Sequence, residues 1–220
     1  HEVRTTCAGR TDAGVHALGQ VVHFDSTALR SERSWMLGSN ANLPFDVSVT
    51  WARSMAPDFH ARFSARTRRY RYVVFNRDAR PAVLLGRVAW EHRRLDVDRM
   101  REASGYLLGE HDFSSYRGAG CQAKSPVRRI HALTVSRRGP LVIIDVTANA
   151  FLLRMVRNIA GVLIDIGCGR ASPGWALEVL RARDRTCGGV TAPAAGLYLV
   201  EADYPSHFRI PAVPPESGLW

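Results

Sequence analysis

Apolar residues along this chain follow two rhythms, one repeating at every second position and the other at every third or fourth. Alternation marks Tyr70-Arg71-Tyr72-Val73-Val74-Phe75, where Tyr70, Tyr72 and Val74 share one face because successive strand side chains point to opposite sides. Ile130 to Ser136 and Leu141 to Thr147 flank Arg137-Arg138-Gly139-Pro140 and read as a hairpin. Gln20 to Phe24, Val47 to Trp51 and Leu197 to Ala202 are further short β-rich runs, and Glu2 to Ala8 is one more candidate strand. The helical rhythm appears in Val97, Met100, Ala103 and Leu107, with Gly109 placed to stop it. It returns in Phe151, Met155, Ile159, Val162 and Ile166, stopped by Gly167. A short helix starting at Pro173 carries Trp175 and Val179, and Ser31 to Asn40, ahead of Pro44, is a fourth.

From residue 66 onward the order is β-α-β-β-α-(α)-β, the split βαβ or ferredoxin-like order. Before it the order is β-β-α-β, the same pattern without its first strand and helix. The expected fold is therefore α+β, with two ferredoxin-like modules whose sheets are mainly antiparallel. Residues 1–60 are expected to form an incomplete first module and residues 61–220 the second, with the join between Asp58 and Ala65.

Composition narrows the setting. The chain of 220 residues is long enough for one large domain or two smaller ones. It has no apolar run near the ~20 residues that span a bilayer, and no signal-peptide pattern, so a membrane or secretory setting is not expected. Cys7, Cys121, Cys168 and Cys187 lie far apart without a C-x-x-C pair, which fits reduced thiols in a cytosolic protein better than disulfides or zinc. The net charge of +10 and pI near 10.3 call for a polyanionic partner. Lys124 is the only lysine, so coding bias contributes to the arginine count; such bias exchanges lysine for arginine and creates no excess over acids.

Gly9-Arg10-Thr11-Asp12-Ala13-Gly14-Val15-His16-Ala17 is rich in turn formers. On its own it reads as a loop in which Asp12 accepts backbone hydrogen bonds and Gly14 supplies an unusual dihedral. One carboxylate in a loop does not amount to a catalytic site. However, G-R-T-D-A-G-V-H-A followed by G-Q-V-V-H-F resembles the signature of the tRNA pseudouridine synthase A family. The similarity continues through Asn40 to Pro44, Asp58 to Ala65, Arg69 to Tyr72 and Gly109 to Phe113. It goes on in Asn149-Ala150-Phe151, Met155 to Ile159 and Ala195 to Leu199, in the family's order.

The resemblance implies a cofactor-free and metal-free isomerase that converts uridine to pseudouridine at nucleotides 38–40, in the anticodon stem-loop of tRNA. It implies a cytoplasmic homodimer with a basic RNA-binding cleft between its modules. Asp12 falls on the family's nucleophile, and a carboxylate suits that role because it attacks an electrophilic carbon and later departs. Burial alone raises a carboxylate's pKa and a nearby guanidinium opposes that; the family's ion-pairing arginine maps to Arg157. Tyr70 falls on the tyrosine that stacks on the target base, and Leu199 on a residue packing from the other side. Arg10 falls on the arginine credited with helping to flip the uridine. Arg62, Arg66, Arg68, Arg69, Arg71, Arg128 and Arg129 would then follow the phosphate backbone.

Two departures accompany the match. Leu153 and Arg154 stand where related sequences often carry histidine. The family's opening strand and Y-D-G…G-W-Q segment are not present. By resemblance the absent strand would lie between Val47–Trp51 and Gln20–Phe24, so these two runs are expected to face each other across one strand's width, as in a truncated chain. A non-catalytic RNA-binding module would keep the basic surface without needing Asp12. A metal-dependent nuclease would need several converging carboxylates, whereas the acidic residues here are scattered.

Overall fold

The computed structural model describes residues 3–213. The first quarter holds β1 (Thr6–Cys7), β2 (His16–Ala17), β3 (Val22–His23) and α1 (Glu32–Asn40). Then follow β4 (Thr67–Asn76), β5 (Ala89–Glu91), α2 (Val97–Gly105), β6 (Gly109–Asp112), β7 (Val127–Arg138) and β8 (Leu141–Ala148). The last elements are α3 (Met155–Gly167), α4 (Trp175–Ala182) and β9 (Leu197–Asp203).

Seven strands form one mainly antiparallel sheet in the order β2-β9-β4-β8-β7-β6, with β5 added in parallel beside the end of β4. β4 is the axis of this sheet. Its alternation sends Tyr70, Tyr72 and Val74 into the main core, while Val73 packs with Val88, Tyr198 and Val200 on the other face. The β7–β8 hairpin turns through Gly139, whose φ of 54° suits glycine. Helices α2 and α3 pack against each other, α2 over β7 and α3 over β4. α2 starts at Asp96, whose carboxylate accepts the amides of Asp98 and Arg99.

α3 is buried around nearly its whole circumference because chain crosses its outer face. A Cβ on Gly161 would collide with the Val190 carbonyl oxygen, and one on Gly189 would lie 2.8 Å from the Asp165 carboxylate. These two glycines let residues 188–192 press against the helix, where the Ala192 carbonyl accepts from Arg157.

The hydrophobic pattern located β4, the β7–β8 hairpin, β9 and all four helices to within a few residues, although α3 begins at Met155 and not at Phe151. In the first sixty residues it found α1 and β3, which lies inside Gln20–Phe24, but misread the rest. Val47–Trp51 is not a strand: the Val49 amide and carbonyl both bond to the Asn40 side chain, at 2.7 and 2.9 Å, and the Val47 amide bonds back to Pro44. With the Val47 amide and both Val49 groups bonded locally and no strand formed, the expected apposition of two strands across a gap has no counterpart. Of the Glu2–Ala8 candidate, Glu2 lies outside the described residues and only Thr6–Cys7 pairs, antiparallel with β3. The strands β2, β5 and β6 went unread because two to four residues are too few to show a period.

Candidate active site

The loop carrying Asp12 is fixed at both ends. On its entry side the Ala8 amide donates to the Val21 carbonyl at 2.8 Å, and the Gln20 side chain brackets Gly9. Gln20 Nε2 donates to the Gly9 carbonyl at 2.7 Å and Oε1 accepts the Gly9 amide at 3.3 Å. On its exit side His16 and Ala17 pair in parallel with Tyr198 and Leu199, and the Leu18 amide donates to the Leu199 carbonyl at 2.8 Å. The His16 ring stacks on Tyr198 with centroids 4.6 Å apart. Between these anchors Val15 N–H donates to the Asp12 carbonyl at 3.1 Å, closing a four-residue turn. Gly14 occupies its third position at φ 79°, where a side chain is strained.

Asp12 meets α3 at its N-terminus. Arg157 Nη1 donates to Asp12 Oδ2 at 3.1 Å, and Arg154 Nε lies 3.8 Å from the same oxygen. The Arg157 side chain is 15% exposed, against 51% for Arg154 and 31% for Asp12. Arg157 is thus the held partner and Arg154 the loose one. Arg157 Nε also donates to the Ala192 carbonyl at 2.7 Å, while the Ala192 amide returns a bond to the Arg157 carbonyl at 3.1 Å. The neighbouring Pro193 carbonyl accepts the Tyr72 hydroxyl at 2.8 Å. Behind this loop, buried Asn158 accepts from Thr191 Oγ1 at 2.7 Å and from Arg185 Nη2 at 3.1 Å, and donates to the Tyr116 carbonyl at 2.8 Å.

Tyr70 and Leu199 are directly opposite on β4 and β9, both buried. Gly9 passes over them: a Cβ there would lie 3.1 Å from the Tyr70 hydroxyl oxygen and 3.8 Å from a Leu199 methyl. Phe151 meets the Tyr70 ring edge-to-face at 5.0 Å. Burial pushes the Tyr70 hydroxyl up to about 12, against the pull of Arg68, with Cys7 and Asp12 adding to the push. The phenol is therefore neutral at physiological pH. Arg10 projects from the loop as an exposed side chain with no hydrogen bond or ion pair among the described residues.

The structure brings Asp12 and Arg157 together and gathers Tyr70 and Leu199 under the same loop. It redistributes the arginines expected along a phosphate track. Arg68 is buried: Nε and Nη2 donate to the Ala8 carbonyl at 3.1 and 3.0 Å, Nη1 to Asn149 at 3.3 Å, and Nη2 to Arg62. It ties the entry of the Asp12 loop to the segment leading into α3. Arg71 is engaged by Asp145 at 3.0 Å, Arg69 lies 3.5 Å from the same carboxylate, and Arg129 pairs with Glu110 at 3.4 Å. Arg62 and Arg66 are exposed. The supporting roles of Gln20, Arg68, Asn158 and Ala192 were not read from sequence, where Arg68 was expected on the phosphate track; most of their contacts involve main-chain atoms. Only Gln20 and Asn158 sat inside a quoted motif.

Among the described residues, no helix is long and apolar enough to cross a membrane. No three His, Cys, Asp or Glu side chains among them converge as metal ligands would. The four cysteines are free.

Comparison with known proteins bears on this geometry. The family described as tRNA pseudouridine synthase matches residues 103–205. A protein named tRNA pseudouridine synthase A from Coxiella burnetii is 57% identical over 214 residues, covering 97% of this chain and 82% of the relative. The protein of that name from Alcanivorax borkumensis is 55% identical over 214 residues, 97% of this chain and 80% of the relative. That from Pseudomonas aeruginosa is 57% identical over 209 residues, 95% of this chain and 73% of the relative. With identity at this level along nearly its whole length, the chain belongs to the tRNA pseudouridine synthase A family, whose members are isomerases.

Proposed function

We propose that this chain isomerises uridine to pseudouridine in the anticodon stem-loop of tRNA, at nucleotides 38–40, with Asp12 as the nucleophile. The observation that carries the reading is the Asp12 carboxylate held 3.1 Å from Arg157 at the end of a loop anchored on both sides. The net charge of +10 supports a polyanionic substrate.

The roles follow from this placement. Asp12 attacks an electrophilic carbon of the nucleotide, the uracil separates from its ribose, turns, and rejoins through carbon as the carboxylate leaves. The C–N glycosidic bond is exchanged for a C–C bond. One proton is lost from the base carbon and one is taken up by the freed nitrogen, so mass is unchanged. Arg157, gripped by the Ala192 carbonyl, keeps a cation directed at the carboxylate before and after the attack. Tyr70 and Leu199, beneath the same loop, take the two sides of the uracil. Arg10, exposed two residues before Asp12, takes the flanking phosphate or the space left by the flipped base. No cofactor is needed for these steps.

The proposal extends to architecture. The strand order β9-β4-β8-β7, with α2 and α3 packed on one face, supports a ferredoxin-like reading of residues 61–220. Residues 1–60 supply the nucleophile as a separate module, the two flank a basic cleft, and the enzyme works in the cytoplasm as a homodimer. The test is uridine-specific chemical mapping of an unmodified tRNA transcript after incubation with the protein. Pseudouridine at nucleotides 38–40 is the expected result. Unchanged uridines there, or conversion elsewhere only, would overturn the assignment.

A further inference from the structure

Beside the Asp12 site lies a second basic cleft of about 340 Å³, formed by the loop 114–121 and Arg185. No Asp or Glu lines it. Arg117 and Arg185 both face it, and neither has a carboxylate partner among the described residues. Both are held: Arg117 Nη2 donates to the Cys121 and Ala123 carbonyls and its guanidinium also bonds the Cys121 thiol, while Arg185 Nη2 donates to Asn158, Gly189 and Thr191. Both guanidiniums are thus fixed in place by carbonyl, amide, hydroxyl and thiol groups, none of which is a carboxylate.

Arg128 adds a third cation behind the loop. Its Nη1 donates to the Ser125 and Val127 carbonyls, but its buried Nε has no hydrogen-bond partner and no carboxylate pairs with it among the described residues. Burial holds Arg128 below its ordinary basicity; Cys121 opposes that, and the charge of Arg117 adds to it. Like charges gathered without acids are unfavourable unless an anion completes the group. Gly120, which lines the cleft, has φ 78° and nothing within 4 Å of a Cβ position, so its backbone is open to solvent.

The cleft is joined on both walls to the two arginines that face Asp12, Arg154 and Arg157. The Gly118 amide donates to the Leu153 carbonyl at 2.8 Å, and a Cβ on Gly118 would lie 3.2 Å from the Arg154 side chain. Arg185 bonds Asn158 and Thr191, next to the Ala192 carbonyl that grips Arg157. An anion bound here would therefore sit one residue removed from each cation on Asp12.

We propose that this cleft is a second anion subsite, which takes a phosphodiester of the same RNA whose nucleotide is held at Asp12. The inference rests on the proposed RNA substrate and goes beyond it in naming Arg117 and Arg185 as the phosphate ligands. Seating one phosphate here sets the strand's register while the target nucleotide occupies the Asp12 site.

Cys121 lines the cleft and reports on it directly. In the unaltered protein, iodoacetamide labelling of Cys121 is followed by peptide mass spectrometry with and without tRNA, with exposed Cys187 as the reference for general shielding. Labelling of Cys121 should fall at least several-fold more than that of Cys187. In parallel, Arg117→Gln should reduce the slope of log affinity against log salt by about 0.7–0.9, the value of one phosphate contact, and Arg117→Lys should restore it. A Cys121 that does not react in the free protein, or reacts equally with tRNA bound, would overturn the proposal; so would an unchanged slope in Arg117→Gln. Pseudouridine formed by the same samples without Cys121 protection would sink the subsite and leave the enzymatic reading standing. Protection without pseudouridine would do the reverse.

Discussion

Replacing Arg157 by lysine keeps the charge and removes the geometry. The guanidinium does two things at once, donating Nη1 to Asp12 at 3.1 Å and Nε to the Ala192 carbonyl at 2.7 Å. A lysine ammonium is a single point charge on a flexible stem and cannot hold both partners in the same planar arrangement. A hydrogen bond to a charged group is worth about 1.5–3 kcal/mol, and ~1.4 kcal/mol is tenfold in rate. Loss of one such contact in the transition state therefore predicts kcat/KM lower by roughly 10- to 100-fold. Stability should change far less, because the Asp12 side chain is 31% exposed and water replaces part of the lost contact. A fall in Tm of only about 2–4 °C corresponds to ~1 kcal/mol in a chain of this size. Affinity for tRNA should stay within about twofold, since the net charge is unchanged. Single-turnover conversion of a tRNA transcript, equilibrium binding and thermal melts read the three quantities separately. Turnover by Arg157→Lys within about twofold of the parent would refute the view that Arg157 works by orientation.

Tyr70→Leu should lower turnover by about tenfold or more, from the ~1–3 kcal/mol of a stacked base, with a smaller change in tRNA affinity, whereas Tyr70→Phe should stay near the parent; an equally inactive Phe variant would shift the role from the ring to the hydroxyl. Gly161→Ala puts a methyl against the Val190 carbonyl and should destabilise by roughly 1–3 kcal/mol in urea unfolding. It should also reduce turnover by displacing the Ala192 carbonyl from Arg157, and a variant as stable and active as the parent would disprove the close approach. Burial raises the hydroxyls of Tyr70, Tyr198 and Tyr204 from 10.0 to about 12, so the fold favours their protonated forms. Their contribution to stability is fully present below about pH 10 and is lost as pH rises through about 12; denaturant unfolding in that window, with ultraviolet detection of phenolate, should show the decline, and a flat profile would contradict it.

The parts of the fold that were legible in the sequence are those that bury a continuous face. Tyr70, Tyr72 and Val74 alternate into one core, and the α3 stripe from Met155 to Ile166 is apolar because chain covers it on all sides. Val47–Trp51 alternates equally well, but Val47 stays exposed, Trp51 is only partly buried, and the Asn40 side chain takes both backbone groups of Val49. Periodicity reports burial and is blind to a side chain that substitutes for a neighbouring strand. The site was legible in a different way. Asp12 and Arg157 were found through motif resemblance, since a carboxylate in a turn and an arginine on a helix carry no signal alone. What resemblance could not supply is the support. Ala192 grips Arg157 by its carbonyl, Arg68 is withdrawn from the surface to bind three carbonyls, and Arg154 approaches Asp12 from a left-handed backbone at φ 59°. Contacts to main-chain atoms leave little trace in side-chain identity.

The central claim is that the Asp12 carboxylate performs the chemistry and is not merely a partner for Arg157. Asp12→Asn retains shape and hydrogen-bonding capacity while removing the nucleophilic, negatively charged oxygen. Uridine-specific mapping of tRNA, with equilibrium binding on the same samples, is the most direct test. No pseudouridine above background, at tRNA affinity within a few-fold of the parent, is the result predicted here. Pseudouridine formed by Asp12→Asn at a rate within a few-fold of the parent would contradict it.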